Sequence, residues 1–183
     1  MENLITKEKK DQIDLLCKDY GIKNYSINPD GTIDVDGDVK LQNIGLVKIP
    51  IKFNKVSGFF RCDDNSLSTL EGAPTTVGGN FDCEGNLLRS LEGAPTTVGG
   101  YFAASYNNLT STYAGEVDIE DIGGNVFLTG NSLLELFVIS TFNMRKIKLI
   151  LKYQRHFEIW NEDLTLNEEN FQVLIDEIND GLL

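Results

Sequence analysis

Hydrophobic and polar positions along the chain change their rhythm twice. Residues 6–20 place Ile13, Leu15, Leu16 and Tyr20 among charged residues, a spacing that predicts an amphipathic helix closed by Gly21. Residues 25–35 read as a hairpin turning on Asn28, Pro29, Asp30 and Gly31. Short bursts of alternation follow, in which Phe-x-Cys points side chains to opposite faces of a strand. Beyond residue 134 the helical rhythm returns. Residues 144–160, rich in Ile, Leu, Lys and Arg, and residues 167–178 predict helices, with Thr165 and Glu168 as a capping box for the second.

The alternating bursts belong to a repeat. Residues 58–78 read GFFRCDDNSLSTLEGAPTTVG and residues 79–99 read GNFDCEGNLLRSLEGAPTTVG, at an offset of 21 residues. Residues 70–79 recur unchanged as 91–100. One offset earlier, Val39, Leu41, Leu46, Ile49 and Val56 fall under Phe60, Cys62, Leu67, Leu70 and Val77. One offset later, Phe102, Ala104, Asn107 and Leu109 fall over Phe81, Cys83, Asn86 and Leu88. A last copy starts at Gly124 after 24 residues, because the return segment 113–122 is longer. A single unit cannot bury its own apolar side, whereas stacked units can. About five stacked coils are therefore expected over residues 37–134. Asn65, Asn86, Asn107 and Asn131 share one slot and predict an amide ladder at the strand ends, while the Gly-Ala-Pro and Gly-Gly steps predict bends.

This pattern resembles the leucine-rich repeat family, whose core is L-x-x-L-x-L-x-x-N-x-L; the chain offers F-x-C-x-x-N-x-L, with glycine replacing the first leucine. It is more similar still to short repeat proteins of tailed phages and bacteria, with units of the form S-L-E-G-A-P-x-x-V-G-G-x-F-x-C-x-x-N-x-L, over residues 27–134. The resemblance implies an α/β repeat fold: a short leucine-rich-repeat-like β-solenoid over residues 37–134. A helix and hairpin cap (1–36) precedes it, and a helical cap (135–183) of two or three helices follows, all in one continuous domain. It implies little about function, because repeat scaffolds serve unrelated partners.

Charge narrows the partner. Residues 59–131 hold ten acids and only Arg61 and Arg89 as bases, in a chain of net charge −12. Such a segment repels phosphate backbones, so direct nucleic-acid binding is not expected, and a basic protein surface is the natural complement. No apolar run spans a bilayer, and the first residues lack a secretory pattern, so the cytoplasm is the expected location, that of the host for a phage protein.

Catalytic and metal chemistry find little support. Asp34, Asp36, Gly37 and Asp38 evoke a calcium loop, but its sixth and twelfth positions hold Val39 and Gly45. Cys62 and Cys83 share an inward slot, and the single histidine, His156, lies in another element, so neither a nucleophile pair nor a zinc set assembles. No catalytic residue, cofactor or metal is therefore expected. Arg145, Lys148, Lys152 and Arg155 share a helical face, read first as a solvated surface and second as a basic docking patch.

The surface remains. If the Phe60 column points inward, three outward columns follow: Asp38, Phe59, Asn80, Tyr101, Asn125; Lys40, Arg61, Asp82, Ala103, Phe127; and Gln42, Asp63, Glu84, Ser105, Thr129, with Tyr106 beside the last. Phe59, Arg61, Asp63, Asp82, Glu84, Tyr101, Tyr106 and Phe127 are the expected partner-binding residues, aromatics within an acidic rim. Glu116, Asp118, Glu120 and Asp121 of the longer return segment form a second candidate. The expected function is a non-enzymatic protein-binding module, which the phage resemblance extends to an inhibitor of a host defence protein. The alternative is an acidic mimic of nucleic acid seated in the basic groove of a nuclease or regulator.

Overall fold

The structure, a computed structural model, describes residues 5–114, 119–132 and 144–183. A helix, α1 (Lys7–Asp19), leads into a hairpin of β1 (Tyr25–Ile27) and β2 (Ile33–Val35). Each coil then supplies two strands where the alternation predicts one. The Phe-x-Cys bursts, with their equivalents, give β3 (Val39–Lys40), β5 (Phe60–Arg61), β7 (Phe81–Asp82), β9 (Phe102–Ala103) and β11 (Val126–Phe127). The return segments give β4 (Phe53–Val56), β6 (Thr76–Val77), β8 (Thr97–Val98) and β10 (Asp121–Ile122). The first set forms a five-stranded front sheet in the order β11-β9-β7-β5-β3. The second joins the hairpin in a six-stranded return sheet, β1-β2-β4-β6-β8-β10, parallel except at β1–β2. This is a β-solenoid of about four coils. The expected fifth is described only through Ser132, the rest lying outside the described residues.

Two-residue strands hold nothing alone; their stability comes from exact repetition. Phe60 pairs with Phe81 and Phe81 with Phe102 across neighbouring coils. Their rings are fully buried, the first pair stacked at 5.8 Å and the second tilted at 5.3 Å between centroids. Facing them, Val56, Val77, Val98 and Ile122 form the inner column of the return sheet. Leu46, Leu67, Leu88 and Leu109 fill a third side.

The asparagine ladder forms as expected. Asn86 Nδ2 donates to the carbonyls of Cys62, Cys83 and Glu84, while its Oδ1 accepts the Leu67 N–H at 2.9 Å. Asn65, Asn107 and Asn131 repeat the arrangement, each binding its own coil to the one before. At the opposite corner the glycine pairs let the coils approach: a Cβ on Gly78, Gly99 or Gly123 would run into the carbonyl of Ser57, Gly78 or Gly99.

The first open end is covered as the sequence predicts. Thr6 caps α1 by accepting the Lys9 N–H, Ile13 and Cys17 bury against the solenoid, and Gly21 closes the helix at φ +65°. Tyr25 donates to Asp14 at 2.6 Å and ties the hairpin to the helix.

The second end departs from the expectation in three ways. Its first helix, α2 (Met144–Tyr153), stops short of residue 160, where Glu158 turns at φ +49° and Trp160 bridges Leu166 instead. The closing helix, α3 (Glu168–Asp180), is capped by Asn167, whose side chain accepts the Asn170 N–H. Thr165 makes no capping box because its N–H and hydroxyl are both held by Asp163.

The third departure concerns the basic face of α2. In the return sheet the carbonyls of Val35, Val56, Val77 and Val98 each accept an N–H from the next coil. Among the described residues no strand follows β10 in the return sheet, and the Ile122 carbonyl accepts from Lys148 Nζ at 2.6 Å. In the front sheet the N–H groups of Val39, Phe60, Phe81 and Phe102 each donate to the next coil, and that of Val126 meets Met144 Sδ at 3.2 Å. Met144 and Lys148, one helical turn apart, thus continue both ladders with side-chain atoms. Lys148 is a structural closure rather than a solvated charge.

Candidate functional site

The outer face of the front sheet is built by alternation: where Phe60, Phe81 and Phe102 enter the core, Arg61, Asp82 and Ala103 face outward. Outward is not the same as exposed. Asp63, Asp82, Ala103 and Ser105 are buried, and Phe59, Arg61, Glu84 and Tyr101 are half-buried. Of the face's expected residues only Tyr106, at 68%, and Phe127, at 42%, stand well exposed. The expectation of open columns holds at their ends, where Asp38, Lys40, Asn125 and Thr129 are exposed, and is corrected at the middle coils, where short side chains sink between longer neighbours.

Arg61 organises the centre. Its Nε and Nη2 form a fork on Asp63 at 3.0 and 2.7 Å, and its Nε lies 3.7 Å from Asp82 Oδ2. The Asp63 bond holds the guanidinium pKa above its ordinary value. Asp82 is less well served: Oδ1 accepts the Glu84 N–H at 3.2 Å, and the Arg61 contact is too long for a hydrogen bond. Burial pushes its carboxyl up to about 6, with the nearby Asp63 and Glu84 charges adding to the rise. One guanidinium therefore serves two carboxylates, Asp63 and Asp82, and the Glu84 charge acts on the second.

Aromatic groups border this cluster. Tyr101 and Phe127 meet edge to face at 5.8 Å, and burial, with Asp82 nearby, raises the Tyr101 phenol pKa. Towards the first coil, Lys40 Nζ sits 5.6 Å over the Phe59 ring. The Asp38 and Asn80 side chains accept the backbone N–H of Phe59 and Tyr101 from the coil before, fixing both aromatics. Phe59, Arg61, Asp63, Asp82, Glu84, Tyr101 and Phe127 thus lie on one sheet face, with Tyr106 on the turn that follows β9.

The second candidate divides. Glu116 and Asp118 lie outside the described residues. Glu120 and Asp121 are exposed and line an open groove of about 510 Å³ between β10 and α2, opposite Arg145, Lys148 and Lys152. They do not join the front-sheet cluster. At the other end a polar slot of about 230 Å³ lies between the α1–β1 connection and the Asp36, Asp38 and Lys40 side chains. Neither cavity is lined by Asp82.

The thiols are poor nucleophiles: Cys62 and Cys83 are fully buried, and burial raises both pKa values. Among the described residues no group of three or more His, Cys, Asp or Glu side chains is placed to hold a metal, and no helix is long and apolar enough to cross a membrane. Sequence reasoning missed the role of Lys148 and Met144, for which no local signal exists. It also missed the backbone state of Tyr106, which comparison of its slot with Asp64, Gly85 and Gly130 makes visible. No family model, curated protein or solved structure matches the chain.

Proposed function

We propose that the chain is a protein-docking module that performs no chemistry on its partner and holds a basic protein surface against the outer face of the front sheet. The observation that carries this reading is the sharing of one guanidinium between Asp63 and Asp82, with the Glu84 charge acting on Asp82 as well, beside the Tyr101–Phe127 pair. Aromatic anchors within an under-neutralised acidic setting are what a basic partner complements. Laddered strands and forked side chains also hold the face in its binding shape beforehand, which lowers the ordering cost of association. The likeness of the repeat unit to short repeat proteins of tailed phages supports a narrower role, that of a phage protein inhibiting a host defence protein in the host cytoplasm.

The test is affinity capture from bacterial lysate, with captured proteins identified by mass spectrometry. The comparison is a variant carrying Phe59, Tyr101, Tyr106 and Phe127 all changed to Ala, its folding checked by circular dichroism. A partner retained by the parent chain and lost by the folded variant is the expected result. Equal retention removes the front sheet from consideration. The ten acids of residues 59–131 favour a second reading, a mimic of nucleic acid. That reading predicts displacement of the partner by duplex DNA and steep loss of binding with salt.

A further inference from the structure

We infer that Tyr106 is the anchor of the docking face and that its ring receives an arginine side chain of the basic partner. The inference rests on the docking reading above and adds to it the residue and the group it meets.

The residue that turns the chain after each front strand is left-handed in every coil: Asn43 at φ +51°, Asp64 at +54°, Gly85 at +62°, Tyr106 at +54° and Gly130 at +74°. Asn, Asp and Gly suit that region, through local hydrogen bonding or the missing Cβ. A tyrosine does not, and a bulky residue there is an outlier. Core packing does not account for it, because 68% of Tyr106 is exposed. The neighbouring coils accommodate the choice: a Cβ on Gly130 would sit 2.6 Å from Tyr106 Cδ1, so glycine at the next coil leaves the ring its seat. Gly85 does the same for Asp64, whose carboxylate lies over it. The fold thus holds a strained aromatic ring out to solvent in a slot where smaller residues are the norm. Strain kept at an exposed position points to function.

Charge selects the occupant. Arg61, the cation at the centre of this face, is committed to Asp63, and among the described residues neither Asp82 nor Glu84 has a forked partner. Residues 59–131 contain one other base, Arg89. An exposed ring on so acidic a segment favours guanidinium over ammonium, because guanidinium is planar, stacks on rings and binds carboxylates through two parallel bonds.

The experiment titrates the full chain with octa-arginine and octa-lysine peptides by calorimetry at moderate salt. It uses the parent, Tyr106→Asn, Tyr106→Phe, and the double variant Asp82→Asn with Glu84→Gln. The parent is expected to prefer the arginine peptide by about three- to tenfold. Tyr106→Phe keeps that preference. Tyr106→Asn abolishes it, keeps the lysine-peptide affinity, and holds its thermal midpoint within about 2 °C of the parent or above it, since Asn suits the left-handed turn. Equal binding of the two peptides by the parent, or a preference that survives Tyr106→Asn, overturns the assignment of Tyr106. Failure of the parent to bind either peptide, or unchanged binding of both by the double variant, overturns the docking reading itself.

Discussion

Changing Asp82 to Asn should make the protein more stable at neutral pH, although it removes a charge that has an opposite charge nearby. Asp82 is 6% exposed, and burial raises its carboxyl from the ordinary 3.8 to about 6. The groups around it are Arg61 and Asp63 on β5 and its loop, Glu84 on its own coil, and Tyr101 before β9. Above pH 6 the folded protein must hold a carboxylate that water would solvate better. A rise of roughly two units corresponds to a cost on the order of 2–3 kcal/mol. Between about pH 4 and 6 the folded chain keeps a proton that the unfolded chain has released, so stability from this group grows as pH falls and levels off below the unfolded pKa. Asparagine imitates the protonated form and keeps an oxygen for the Glu84 N–H, now held at 3.2 Å. The expected gain at pH 7.5 is therefore about 1–3 kcal/mol, vanishing near pH 4. Urea unfolding followed by circular dichroism at pH 4, 5, 6 and 7.5 gives both curves, and their difference isolates this group from the other acids. A variant weaker than the parent at pH 7.5, or a difference that does not change with pH, refutes the reasoning.

Three further outcomes concern the scaffold. Asn86→Ala strips a buried donor from three carbonyls and an acceptor from the Leu67 N–H, and should cost about 2–4 kcal/mol in urea unfolding. Gly99→Ala drives a Cβ into the Gly78 carbonyl, where backbone must move; a loss of about 1–3 kcal/mol is expected by the same assay. Lys148→Met keeps the apolar stem but removes the donor to the Ile122 carbonyl; it should cost about 1–2 kcal/mol and speed amide exchange in β10 ahead of β6.

The repeat made the stacking legible because side-chain register and sequence offset coincide. Phe60, Phe81 and Phe102 are 21 residues apart and pair directly, and the asparagine slot carries its ladder wherever the offset places it. The return sheet was hidden, since Thr-Val pairs of two residues carry no period and their β-branched character alone is a weak signal. On the docking face, alternation gave the direction of Asp63 and Asp82 but not their cover, which depends on how far Arg61 reaches across two coils. Thr165 illustrates local competition: the carboxylate of Asp163, two residues earlier, took the hydrogen bonds that a helix cap requires. For Lys148 the sequence shows only a basic helical face; its role arises where the helix meets the last coil.

That meeting point has a consequence for how long such a molecule can be. Met144 and Lys148 bond the last strand of each sheet, at Val126 and Ile122, and every internal coil offers its neighbours the same backbone groups in the same places. The end piece therefore cannot tell how many layers lie beneath it. Copying residues 79–99 in frame should extend the protein by one layer of about 4.8 Å, with both termini seated as before. Duplication in the gene thus becomes a ruler, able to enlarge the recognition panel in fixed increments without redesigning its ends.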